Sequence, residues 1–187
     1  ETLSQARDAS ELIELEVEEL GSVTDCVTAA EESAPLLHDE AAKNTCLDWE
    51  YGDCSAVEAA IAAAHHVTKL RLRNNRGRVS AMEPRAAIAE FDPATDRYTL
   101  HAPSQGVFGL TGGLANVMGV EREKMHVFTN DVGGSFGMKA APYPEYPPLF
   151  LAAKEIGRPV RWCDDRSGSM VPGQHGRDSW AEATLAF

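Results

Sequence analysis

The run Asp131-Val132-Gly133-Gly134-Ser135-Phe136-Gly137-Met138-Lys139 decides how the rest of the chain is read. It places three glycines within five residues, between a short strand pattern over 125–129 and a helical pattern over 144–156. Glycines at that density admit φ > 0 and let the main chain come close to a ligand. Amides in such a loop can converge on anionic oxygens. A tight turn that binds nothing is the equally simple alternative. The common phosphate loops fit poorly. A P-loop needs Ser or Thr after its Lys, and Ala140 follows Lys139; the dinucleotide fingerprint needs a glycine where Val132 stands.

Downstream of the loop, Pro147 and Pro148 fall in the first turn of the helix, where a missing N–H matters least, and Gly157 ends it. Strand patterns cover 158–162 and 180–187. Upstream, a helix is expected over 105–118, stopped by Gly119 and weakened at Gly112 and Gly113 by about 1 kcal/mol per glycine. Two strands, 85–91 and 98–101, flank a type I turn opened by Asp92 and Pro93. Residues 67–73 read as a strand with Leu70 and Leu72 inward. Ser55 and Glu58 form a capping box for an alanine-rich helix to about Ala64. Near the N-terminus a helix over 2–12 precedes Ile13, Leu15 and Val17, which alternate with Glu14, Glu16 and Glu18. That period of two predicts a strand with one buried and one acidic face, stopped by Gly21. A helical turn over 24–30 and a polar connector over 31–44 follow. Helices and strands alternate with hairpins mixed in, so the fold class is α+β, a mixed α/β arrangement.

With 187 residues, 43% hydrophobic and 25% charged, the chain is long and apolar enough to bury a core. No apolar run is long enough to span a bilayer; the longest, 59–64, ends at His65 and His66. The formal charge of −12 argues against binding to nucleic acid or an anionic membrane. The basic stretch Lys69, Arg71, Arg73, Arg76 and Arg78 reads as a strand edge and turn with solvated charges. Cys26, Cys46, Cys54 and Cys163 match no zinc or iron–sulfur spacing. They read as reduced thiols of a cytoplasmic protein, with a Cys46–Cys54 bridge as the minor alternative. His65, His66, His101, His126 and His175 are scattered and none is assigned as a ligand. No leader is visible. The start at Glu1 and a strand pattern that runs to Phe187 point to a fragment.

The motifs taken together carry a family resemblance. The loop 131–139, Tyr143-Pro144-Glu145, Gly157-Arg-Pro-Val-Arg-Trp162 and Asp165-Arg166 resemble the molybdenum hydroxylases, the xanthine dehydrogenase and aldehyde oxidase family. Met82-Glu83-Pro84-Arg85, Pro103-Ser104-Gln105 and Arg7-Asp8-Ala9 with Glu11-Leu12 are similar to that family in the same order. Within it, the resemblance is closest to the large subunit of aerobic carbon monoxide dehydrogenase.

That resemblance implies that residues 1–30 are the end of an α/β hammerhead domain and 31–187 the first part of a molybdopterin-binding domain. It implies a molybdenum–molybdopterin cofactor in its cytosine dinucleotide form. FAD would sit on a medium partner subunit and 2Fe-2S clusters on a small one, with two such heterotrimers forming a dimer. Cofactor-binding roles fall on Gln105, Gly133, Gly134, Phe136 and Gly137. Phe136 would shield the metal centre, or else anchor the loop in the core. The catalytic glutamate of the family would lie beyond Phe187, so no catalytic residue is assigned here. Ser135 stands where the family commonly has glycine. Ala140 replaces the purine-binding glutamate of the xanthine enzymes, which argues against xanthine and leaves carbon monoxide, an aldehyde or an N-heterocycle. Glu83 and Arg85 either form a partly buried pair that fixes the site wall or stand as solvated charges at a strand entry; the resemblance favours a structural role near the site, not catalysis. Two other readings stay open: a truncated, non-catalytic assembly module, and an independent anion-binding domain.

Overall fold

A computed structural model describes residues 2–187. Its helices and strands, in chain order, are α1 (Leu3–Ser10), α2 (Cys54–Ala63), β1 (Val67–Asn74), β2 (Gly77–Arg78), β3 (Ala86–Asp92), β4 (Arg97–His101), α3 (Val107–Met118), β5 (Met125–Phe128), α4 (Tyr146–Ile156), β6 (Val160–Cys163), β7 (His175–Gly176) and β8 (Ser179–Ala186). They form two compact units. One holds the residues up to Arg73 together with Ser179–Phe187; the other holds Asn74–Asp178. The 30/31 boundary of the sequence reading lies inside the first unit.

In the first unit, the Thr2 hydroxyl caps α1 by accepting from the Gln5 N–H, and the Gln5 side chain accepts from the Thr2 N–H. The cap of α2 differs from the expected Ser55 box. Asp53 accepts from the Ala56 N–H at 2.9 Å, and Ser55 lies inside the helix. A carboxylate beside the positive helix end is the stronger cap of the two. The connector is a loop organised by Asn44, whose amide donates to the Ala29 and Pro35 carbonyls and accepts from the Leu37 N–H. β1 pairs with β8.

Two expectations fail in this unit. Residues 13–20 are not a strand, and Ile13, Leu15 and Val17 are exposed. Alternation sets which side chains share a face, but a strand forms only on a hydrogen-bonding neighbour. None of the described residues supplies one. Leu70 and Leu72 are likewise about half exposed, because no described layer covers that side of the β1–β8 ribbon. The basic stretch is partly stacked as well as solvated: Arg71 and Arg73 lie over the Trp180 ring, and Arg71 pairs with Glu182 at 3.1 Å. No described residue of this unit is buried. All four cysteines of the chain are free and exposed.

The second unit carries the core. Its main sheet has the order β5-β4-β3-β6, with β2 and β7 as a separate pair. Ala87, Ala89 and Leu100 face Leu110 and Leu114 of α3 and Tyr146 and Phe150 of α4. Tyr98 packs edge-on against Phe150. The glycine pair in α3 has a packing reason: a Cβ on Gly113 would lie 2.6 Å from Pro142 Cγ. The helix therefore trades propensity for close approach of the segment that follows the glycine loop. Both α3 and α4 end in left-handed glycines, Gly119 and Gly157, as the pattern predicts.

The topology places the site. β3 runs antiparallel to β4 and β6, while β4 and β5 run parallel. The start of β3 and the ends of β4, β5 and β6 therefore meet at one end of the sheet. Four segments distant in sequence converge there: 81–85, 102–106, 129–140 and 163–166. No helix among the described residues is long and apolar enough to cross a membrane.

Candidate functional site

The wall of the site is the segment entering β3. Arg166 holds it by donating to the carbonyls of Ala81 at 2.7 Å and Met82 at 2.9 Å. Of the two readings open for Glu83 and Arg85, the mutual pair does not form; each pairs instead with a different segment. Pro84 keeps the chain extended, and side chains two apart around it find partners in different segments. Glu83 turns to the glycine loop. Its N–H donates to the Gly133 carbonyl at 3.1 Å, and its carboxylate accepts from the Gly133 N–H at 2.8 Å and from Lys139 Nζ at 2.7 Å. The Lys139 side chain is fully buried. Arg85, 1% exposed, donates to both Glu145 oxygens at 3.0 and 2.8 Å and to Asp164 at 3.0 Å, and lies 3.8 Å over the Tyr143 ring. Burial works against its charge, and the carboxylates of Glu145 and Asp164 override that and raise its pKa.

The hydrogen bond from Lys139 holds the Glu83 carboxyl below its ordinary value of 4.5, against the opposing effect of burial and with help from the Gly133 N–H. A depressed carboxylate contributes stability that is present above the unfolded-state value and is lost as pH falls through the folded-state value. The expected result is unfolding free energy that is insensitive to this pair between pH 6 and 8 (roughly its neutral plateau) and that falls below about pH 4.5. Glu83→Gln should flatten part of that acid limb in a pH series of urea melts. An unchanged acid slope would show that the pair carries none of it.

The loop itself is held by three anchors. Gly134 (φ +95°), Phe136 (φ +50°) and Gly137 (φ +94°) are left-handed. A Cβ on Gly133 would collide with the Glu83 side chain, so only glycine permits that contact. Gln105 supplies the second anchor: its Oε1 accepts from the Ser135 hydroxyl and the Gly137 N–H, each at 2.7 Å. The third is the Lys139 carbonyl, which accepts from the Gln105 N–H at 3.1 Å and from the Ser104 hydroxyl at 3.5 Å. Among the described residues, no acceptor takes up the N–H groups of Gly134, Ser135 or Phe136. The Phe136 ring is 77% exposed and lies beside Gly134, so it does not anchor the loop in the core.

Of the five residues picked from sequence, four lie in the loop, and Gln105 is bound to it from the end of β4. Sequence reading missed the role of Lys139, whose only mark was a charge between a glycine run and an apolar stretch. It also missed Asp164 and Glu145 as joint partners of Arg85. Beside the loop a cavity of 270 Å³ is lined by His101, Asn130, Asp131, Arg161 and Trp162 among others. No group of His, Cys, Asp or Glu among the described residues could hold a metal ion.

Residues 37–187 match the molybdopterin cofactor-binding domain pattern. The chain belongs to that family. This molybdopterin-domain chain is 28% identical to the carbon monoxide dehydrogenase large chain of Hydrogenophaga pseudoflava, over 97% of its own length and 24% of the relative's. It is 29% identical to the nicotine 6-hydroxylase large subunit of Paenarthrobacter nicotinovorans, over 100% of itself and 22% of that subunit. Among solved structures, carbon monoxide dehydrogenase from Oligotropha carboxidovorans superposes with a TM-score of 0.86 at 28% identity, covering 98% of this chain and 24% of that one. The chain thus spans about a quarter of the length of the curated relatives it matches.

Proposed function

We propose that this chain is the part of a molybdenum-dependent oxidoreductase large subunit that holds the molybdopterin cofactor. The observation that carries the reading is the row of free N–H groups at Gly134, Ser135 and Phe136, in a left-handed loop fixed from both sides by Glu83 and Gln105. Such a row suits oxygens of an anionic group and adds no side-chain charge to it. The donor set therefore fits the cofactor that the family binds. Gly134, Phe136 and Gly137 are the positions of close approach. Gly133, with both backbone polar groups on Glu83, is the fixed end of the loop. Gln105 presents its remaining amide hydrogens as neutral donors.

When bound, the cofactor supplies the two-electron redox chemistry, and the protein supplies position. The exposed Phe136 ring is the group here that can shield the site from water once a ligand covers it. No catalytic base is assigned among these residues. The finer readings are also proposals. Residues 1–30 belong to a hammerhead domain and 31–187 to the first part of the cofactor domain. The enzyme is of the xanthine dehydrogenase type, with the cytosine dinucleotide form of the cofactor. FAD and 2Fe-2S subunits complete a dimer of heterotrimers in the cytoplasm. Its substrate is carbon monoxide, an aldehyde or an N-heterocycle, and the similarity to both a carbon monoxide dehydrogenase and a nicotine hydroxylase supports that range.

The test is to express the protein at its natural length with its genomic neighbours and assay metal and pterin. About one molybdenum per large subunit is expected, with a fluorescent pterin and cytidine monophosphate released by acid. A folded protein that takes up phosphate but contains neither molybdenum nor pterin would overturn the reading in favour of a plain anion-binding domain.

A further inference from the structure

We propose that the exposed ring pair Trp49–Tyr51 is a docking site for another subunit of the same enzyme, one that presents an arginine on a basic face. This rests on the multi-subunit enzyme proposed above. The two rings stack with their centroids 5.7 Å apart and 6° between their planes. Trp49 is 72% exposed and Tyr51 87%, and Leu47, two positions before Trp49, is exposed as well. The other two tryptophans of the chain show what covers such a ring here. Arg71 and Arg73 lie 4.5 and 5.3 Å over Trp180, and Glu182 holds Arg71 at 3.1 Å. Arg85 lies 5.4 Å over Trp162, held by Glu145 and Asp164. Each is a ring, a guanidinium and a carboxylate, an arrangement in which cation–π and ionic attraction act on one group. Trp49 has the ring and, in Asp48 and Glu50, carboxylates on either side of it in sequence. Among the described residues, no cation lies over Trp49 or Tyr51, and none pairs with Asp48 or Glu50.

The first unit does not supply the missing guanidinium. The chain's formal charge of −12 lies wholly in that unit, whose cations are Arg7, Lys43, Lys69, Arg71 and Arg73; the second unit is balanced. Lys43 is committed to Glu32, Arg71 to Glu182 and Arg73 to Asp25. A second copy of the same unit would set acid against acid. A basic face on a different subunit meets both the rings and the charge, and the field of the acidic unit steers it there. Aromatic side chains and arginine are the groups that most often anchor a protein interface.

The test uses the protein at natural length, purified in complex with the subunits encoded beside it. Trp49→p-benzoylphenylalanine places a photo-crosslinking ring at the site, and the linked peptides are sequenced. The expected result is a link to another subunit, at a peptide that contains arginine. Trp49→Ala should weaken the association of that subunit about 30-fold, as loss of an interface anchor does, and leave the molybdenum content unchanged. Tyr51→Phe, which keeps the ring, should stay within about twofold. Asp48→Asn combined with Glu50→Gln should weaken association and flatten its dependence on salt. A link within the same polypeptide, to a second copy of it or to a peptide without arginine overturns the proposal, as does no link. So does unchanged association of Trp49→Ala. Loss of molybdenum from Trp49→Ala also overturns it, since the ring would then support the fold and not a partner. Failure of the underlying cofactor reading is separate: it shows as absent molybdenum in the unaltered protein.

Discussion

Arg85→Ala should lower the unfolding free energy by about 3–5 kcal/mol, the cost of breaking a buried ion pair from one side. Arg85 is 1% exposed, and the Glu145 and Asp164 side chains are 24% and 8% exposed. Removing the guanidinium leaves two carboxylates facing each other with little water, and empties the space over the Tyr143 ring. Lysine cannot repair the loss, because an ammonium lacks the planar fork that meets both Glu145 oxygens at once. Replacing all three partners by apolar residues of similar volume should cost less than Arg85→Ala alone, since no charge is then stranded. Urea melts of the full protein check this. A loss under about 1 kcal/mol for Arg85→Ala would mean that the cluster is hydrated in solution and braces nothing.

Glu83→Ala is expected to damage both stability and cofactor retention. It strands the fully buried Lys139 ammonium and removes the carboxylate that accepts from the Gly133 N–H, leaving only the main-chain bond from position 83 to the Gly133 carbonyl. The stability cost should be about 2–4 kcal/mol, below that of a fully buried pair because the Glu83 side chain is 38% exposed. One of the loop's three anchors then keeps only its main-chain bond, and molybdenum content should drop about tenfold, the factor that about 1.4 kcal/mol of lost site organisation produces. Glu83→Gln separates the two effects: it can still accept from the Gly133 N–H but offers Lys139 no charge. It should retain more cofactor than Glu83→Ala while remaining destabilised. Combining Glu83→Gln with Lys139→Met should recover stability relative to Glu83→Gln, because the unpaired charge is gone. Equal cofactor content in Glu83→Ala and the unaltered protein would show that the loop holds its shape without this anchor.

Much of the secondary structure was legible because it rests on neighbours in sequence. The hairpin turn at Asp92 and Pro93 appears where expected, with Asp92 accepting from the Ala94 N–H and the Thr95 hydroxyl. So do the glycine ends of α3 and α4, whose φ values only glycine adopts freely. The failures share a cause. The alternation over 13–20 is a real period of two, yet it specifies faces and not a partner. Ser55 and Asp53 are both good caps by residue type, and it is the start of the helix at Cys54 that gives the role to Asp53. Gly112 and Gly113 looked like defects in α3 until Pro142 was seen to pack against one of them.

The sequence by itself determined the glycine loop, its helix and strand neighbours, and the family to which it belongs. Those depend on short spacings and on motifs in a fixed order. The tertiary structure alone decided what the charged residues do. Lys139 meets Glu83 across 56 positions, and Arg85 meets Glu145 and Asp164 across 60 and 79. Separations of that kind are set by which strand ends the sheet brings together, here the start of β3 with the ends of β4, β5 and β6. Local pattern holds no record of them, because a buried charge selects whatever opposite charge the fold delivers within hydrogen-bonding distance.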